Sequence, residues 1–145
     1  MSIPDIIRLN DIAILDLSDG MPDDVDTLNE VGHRLVDLLC TDGLIGINGH
    51  AGCQVSPQLP SMVHRLFALD LSPYRGMGQA ALRGFSQGFR DQMMWHVGPE
   101  LLPEHPLAGR LPVNRWPTEL PQFRDTVLSL YGQLEMLARD LMSFL

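Results

Sequence analysis

Six prolines, Pro99, Pro103, Pro106, Pro112, Pro117 and Pro121, crowd one stretch of the chain, and this constrains the fold more than any other feature of the sequence. Proline donates no backbone hydrogen bond and holds φ near about −65°, which excludes both a helix interior and a central strand. Residues 99–121 therefore read as a long meandering surface loop, entered through Trp95 and His96 and carrying Asn114-Arg115-Trp116 near its end. Directly after it, Phe123, Val127, Leu130, Leu134, Leu137 and Leu141 recur at three- and four-residue spacing, which predicts an amphipathic helix over residues 122–145. With no glycine cap, the last carbonyls of that helix are expected to lack partners.

The preceding residues supply the rest of the architecture. Residues 12–18, rich in branched apolar side chains and closed by Ser18-Asp19-Gly20, predict a strand. Asp23, Asp24 and Asp26 suit a helix N-terminus, and Leu28, Val31, Leu35, Leu38 and Leu39 then predict one buried helix face ending near Thr41-Asp42-Gly43. Residues 44–47 predict a second strand, left through a glycine turn at Asn48-Gly49-His50-Ala51-Gly52. A further helix is expected to open near Ser56-Pro57, to bury Leu59, Met62, Val63, Leu66 and Phe67, and to be closed by Pro73. Glycine density makes residues 74–88 an irregular loop. The expected fold is one α+β domain over residues 1–145, mostly helical, with two short strands and a long proline-rich loop. An isolated pair of strands is marginal, so these read as part of a sheet completed elsewhere.

A chain of 145 residues is long enough for one sizeable core. Its formal charge of −8 and isolated arginines disfavour a nucleic-acid partner, which needs clustered cations. No apolar run approaches the roughly 18 residues of a membrane span, and the start lacks the basic and apolar regions of a signal peptide, so a cytoplasmic location is expected. Cys40 and Cys53 lack metal or redox spacing and read as reduced thiols.

Reaction chemistry is not written locally. His33, His50, His64, His96 and His105 form no His-x-Asp or His-x-x-x-His pair, so surface or structural roles are expected and no metal site is assigned. No serine sits in a nucleophile elbow, and the segment GMGQAALRG lacks a phosphate loop's lysine. Met93, Met94 and Trp95 suit a core or the lining of an apolar pocket. Arg83, flanked by glycine and close to Phe85, has the fork that clamps a carboxylate.

The order of these pieces resembles the N-terminal region of the isopenicillin N synthase-like family of non-haem iron, 2-oxoglutarate-dependent oxygenases. Ile14-Leu15-Asp16-Leu17-Ser18 is similar to the family's opening "IDLS" strand, and Asp42-Gly43-Leu44-Ile45 stands where the family has "GFF". Phe67-Ala68-Leu69 and Arg83-Gly84-Phe85 resemble its "F-x-L-P" and "RGY" positions. The sharpest likeness lies in Trp95-His96-Val97-Gly98-Pro99-Glu100-Leu101, His105-Pro106-Leu107, Asn114-Arg115-Trp116-Pro117 and Leu120-Pro121-Gln122-Phe123-Arg124. The chain departs from the family at Asn48-Gly49-His50-Ala51, where "NHG" is usual, and at Arg90-Asp91-Gln92-Met93.

The resemblance implies a region that packs on a jelly-roll oxygenase domain and helps wall its substrate pocket, with Arg83, Phe85 and Trp95 as substrate-binding candidates. It also implies that iron and 2-oxoglutarate belong to the full-length family, since the iron-binding triad and the Arg-x-Ser motif do not occur in this sequence. The chain is then expected to be non-catalytic, a truncated or split part of an oxidoreductase partnered by a catalytic domain. The alternative is a free-standing binding or interaction protein, self-associating through Leu130, Leu134 and Leu137 of the terminal helix.

Overall fold

The computed structural model describes residues 6–50, 54–76 and 82–144. The fold is α+β, and the chain forms two compact units, one from Met1–Gln54 with Gly132–Leu145 and the other from Val55–Tyr131. Cys53 and most of the segment GMGQAALRG lie outside the described residues. Among those residues, no helix is long and apolar enough to cross a membrane.

The first unit is built on a three-stranded sheet, β1 (Ile6–Leu9), β2 (Ile12–Asp16) and β3 (Ile45–Asn48), in that spatial order. β1 and β2 are antiparallel and joined by Asn10-Asp11, both at positive φ (49° and 66°). Two consecutive left-handed residues match the twist of a two-residue hairpin, and Asn and Asp tolerate them best after glycine. β2 and β3 are parallel, connected through α1 (Val25–Asp42). Asp24 caps α1 by accepting from Thr27 N at 2.8 Å, and Gly43 closes it at φ 69° with its N–H on the Leu39 carbonyl. Leu15, Leu17, Val31, Leu35 and Phe144 form the core.

The expected helix face is only partly buried. Val31 and Leu35 are buried, whereas Leu39 is exposed. An 18-residue helix is about 27 Å long, while a five-residue strand spans about 17 Å, so the last turns of α1 outrun the sheet.

The second unit contains α2 (Leu59–Phe67), β4 (Gly84–Gln87) and β5 (Met93–His96). Its core joins Met62, Leu66, Leu71, Phe85, Leu120 and Phe123. α2 starts later than Ser56-Pro57 and leaves Val63 exposed. Pro73 does not close it. The helix ends at Phe67, and Asp70 then turns the chain by accepting from the Ser72 backbone and hydroxyl, which places Pro73 in a short 3-10 turn.

The described residues hold five strands, which corrects the expectation of two. β1 is too short to show an alternation, and Gly84 and Gly88 mark a strand start and a turn, so Gly84–Gln87 is a strand where the irregular loop over residues 74–88 was expected; residues 77–81 of that loop lie outside the described residues. Residues 97–120 form neither helix nor strand, as the prolines require.

α3 (Pro121–Met142) follows, with its first part in the second unit and residues from Gly132 in the first. Of its predicted apolar seam Phe123 alone is buried, and Leu134 is exposed. Its final carbonyls do find partners, contrary to expectation. Ser143 N bonds to the Arg139 and Asp140 carbonyls, Ser143 Oγ bonds to Asp140 O at 2.6 Å, and Phe144 N bonds to Leu141 O. A serine hydroxyl and a tightened last turn replace the missing glycine cap.

Candidate functional site

Phe85 and Trp95 are direct cross-strand partners in the β4–β5 hairpin. Gly84, which starts β4, has φ 76°, and a Cβ there would meet the Tyr74 carbonyl and the Arg115 side chain, so only glycine fits. Trp95 packs edge-on against Phe123 at 6.0 Å and lies 5.7 Å from Tyr74, while Trp116 meets Phe123 at 6.2 Å. Phe85 is buried, with the Arg75 guanidinium 5.6 Å from its ring centre. Arg83 directs Nε to the Pro112 carbonyl at 3.1 Å and Nη1 to the Leu82 carbonyl at 2.7 Å. Phe85 and Trp95 thus share one face, and Arg83 engages the proline-rich loop. Gly98 gives that guanidinium room, since a Cβ there would strike it.

The motif residues of the proline-rich stretch converge on Glu100. Its carboxylate accepts from Trp116 Nε1 at 2.7 Å and from Arg124 Nη2 at 2.5 Å, with Asn114 Nδ2 at 3.5 Å. Asn114 also accepts from Gly98 N at 2.9 Å and donates to Gly98 O at 2.8 Å. A chain that cannot use a regular ladder here pairs its backbone with side chains instead. Partial burial raises the Glu100 carboxyl, but hydrogen bonds from Arg124, Trp116 and Asn114 outweigh it and hold the group below the usual glutamate range. The same contact raises Arg124.

A carboxyl depressed in the folded state stabilises above its unfolded pKa and loses that contribution as pH falls through its folded value. Glu100→Gln is therefore expected to cost about 1 kcal/mol at pH 7, with the gap to the wild type closing below the ordinary glutamate value of about 4.3. Urea denaturation at pH 7 and pH 3 checks this. An equal gap at both would contradict it.

Beside the hairpin lies an open apolar cleft of about 440 Å³, walled by Leu59, Val63, Phe67, Trp95, Val127 and Leu130 among others. It runs along β5, whose outer edge has no strand partner among the described residues. By contrast, β4 is partly covered on its outer side by a bridge to Arg75 and by Gly76 N on the Phe85 carbonyl. Met93 and Met94 are 51% and 39% exposed on the open strand. The Trp95 indole N–H is buried without a partner among the described residues.

The histidines have separate settings. His50 Nε2 lies 2.8 Å from Asp140, His96 Nε2 lies 2.6 Å from Ser86 Oγ, and His105 Nδ1 accepts from Leu107 N. Among the described residues no three of His, Cys, Asp or Glu come together as a metal-holding group. Glu100, Asn114 and Arg124 stand in no catalytic or metal-ligand pattern in the sequence. Their signal was present as hydrogen-bonding side chains set among prolines, where the backbone needs outside partners. Comparison with protein-family models, curated proteins and solved structures gives no match for this chain.

Proposed function

We propose that this chain is a non-catalytic region of an iron and 2-oxoglutarate-dependent oxygenase, packing on the catalytic jelly roll and contributing to its substrate-pocket wall. The observation that carries the reading is the open edge of β5 beside the apolar cleft. Unpaired strand edges and exposed methionines are surfaces that proteins ordinarily cover, and a catalytic domain is the cover this reading supplies. In this reading Trp95 faces the shared pocket, Phe85 supports it from the adjacent strand, and Arg83 holds the flanking loop. The described residues do not fit an iron site, because such chemistry needs three convergent ligands with open positions. No step is therefore assigned to iron on this chain, and a cytoplasmic location accompanies the proposal.

The native polypeptide provides the first test. A mass well above 16.2 kDa, with a His-x-Asp and distant His following Leu145, is the expected result. A 16.2 kDa polypeptide that forms no complex with an oxygenase jelly roll would overturn the proposal. Where a complex forms, Met93→Asp with Met94→Asp is expected to weaken it at least about tenfold while leaving the thermal unfolding of the chain unchanged.

A second reading, self-association through the terminal helix, is favoured by the exposure of Leu134 and Met136 on α3. A dimer in sedimentation velocity that Leu134→Glu dissolves would select it.

A further inference from the structure

The three-stranded sheet is apolar on both faces but, among the described residues, covered on one. Strand register places Ala13, Leu15 and Ile47 on the α1 side, where they belong to or pack on the core. The opposite face carries the cross-strand pairs Ile7 with Ile14 and Leu9 with Ile12, and Gly46 lies beside Ile14. Ile7 is 48%, Leu9 62% and Ile12 40% exposed. A sheet with one wet face alternates apolar and polar residues, whereas apolar side chains at both parities belong to strands covered on both sides. The parallel β2–β3 pair strengthens this, because such pairs occur with both faces covered.

The charge around the uncovered face selects what can cover it. The unit formed by Met1–Gln54 and Gly132–Leu145 has twelve acidic residues against three arginines, a net charge of −9, whereas Val55–Tyr131 has six against seven, a net of +1. Two of the three arginines are already paired, Arg8 with Asp42 and Arg139 with Glu135. Asp11 stands at the hairpin turn, and Asp16 and Asp19 lie toward the other end of β2, so acids bracket the apolar strip. A second copy stacked on this face would bring −9 against −9, and an anionic lipid surface would be repelled in the same way.

We propose that this face docks an amphipathic helix of a partner protein whose apolar stripe is bordered by lysines or arginines. A helix already packs on the other side of the same three strands, and a second one completes a helix–sheet–helix sandwich. The proposal stands on this sheet alone and does not rest on the oxygenase reading.

The test uses the full chain and two synthetic helices with the same leucine stripe, one bordered by lysine and one by glutamate, with binding read by fluorescence anisotropy. The lysine peptide is expected to bind in the micromolar range, at least about tenfold tighter than the glutamate peptide, and to weaken as salt rises. Leu9→Thr with Ile12→Thr, both at exposed positions, is expected to reduce that binding at least about tenfold with the thermal unfolding temperature retained. Should the pair perturb folding, Asp11→Asn with Asp19→Asn gives the second reading. It leaves the apolar strip intact and is expected to weaken the lysine peptide several-fold while sparing the glutamate peptide. Equal binding of the two peptides, no binding of either, or a lysine-peptide affinity untouched by the threonine pair would overturn the proposal. So would a dimer in sedimentation velocity that the threonine pair dissolves, since that would make a second copy the occupant.

Discussion

Phe123→Ala is expected to lower the unfolding free energy by about 3–5 kcal/mol, the range for removing a buried aromatic ring. Phe123 is 3% exposed, and its ring meets Trp95 on one side and Trp116 on another, so truncation removes two edge-on aromatic contacts as well as buried area. Leucine at this position should restore roughly half of the loss, through area without the ring geometry. Urea denaturation followed by tryptophan fluorescence is a direct measurement, because both indoles border the altered site. A loss under about 1 kcal/mol would mean that the three rings do not form one packed cluster.

A pair of glycine substitutions should act in opposite directions. Ala is intrinsically better than Gly inside a helix by about 1 kcal/mol. At Gly132 in α3 nothing among the described residues lies within 4 Å of the position a Cβ would take, so Gly132→Ala is expected to stabilise by about 0.5–1 kcal/mol. At Gly32 in α1 a Cβ would fall on the Phe144 carbonyl, so Gly32→Ala is expected to destabilise by about 2–3 kcal/mol despite the propensity gain. The steric effect exceeds the propensity effect here because the obstacle is backbone and cannot rotate away. Denaturant midpoints of the two variants, measured side by side, check the signs. Stabilisation by Gly32→Ala would contradict the close approach of α1 to Phe144.

Periodicity and punctuation made much of this fold legible. Asp24 and Gly43 bound α1 as a capping residue and a left-handed terminator should, and the prolines kept residues 97–120 free of helix and strand. β1, β4 and β5 were not anticipated, because four residues are too few for alternation to stand out from chance. Burial was the least legible property. The seam of α3 looked uniform in sequence, yet Phe123 is buried and Leu134 is not, since the neighbours that decide burial come from distant parts of the chain. The same holds for Glu100, whose Trp116 and Arg124 partners are 16 and 24 residues away. A sequence reading can place hydrogen-bonding groups in a loop but cannot pair them.

The first unit is assembled from the two extremes of the sequence, and this sets a schedule for its synthesis. Its sheet and α1 emerge early from the ribosome, but their core includes Phe144, and His50 pairs with Asp140 from 90 residues away. The nascent sheet must therefore wait, with that side of its core open, until residues 132–145 have been translated. Domains commonly fold in the order in which they are made. Here strands made early are sealed only by residues 132–145, so a ribosome-stalled chain lacking those residues should expose an unfinished core to chaperones.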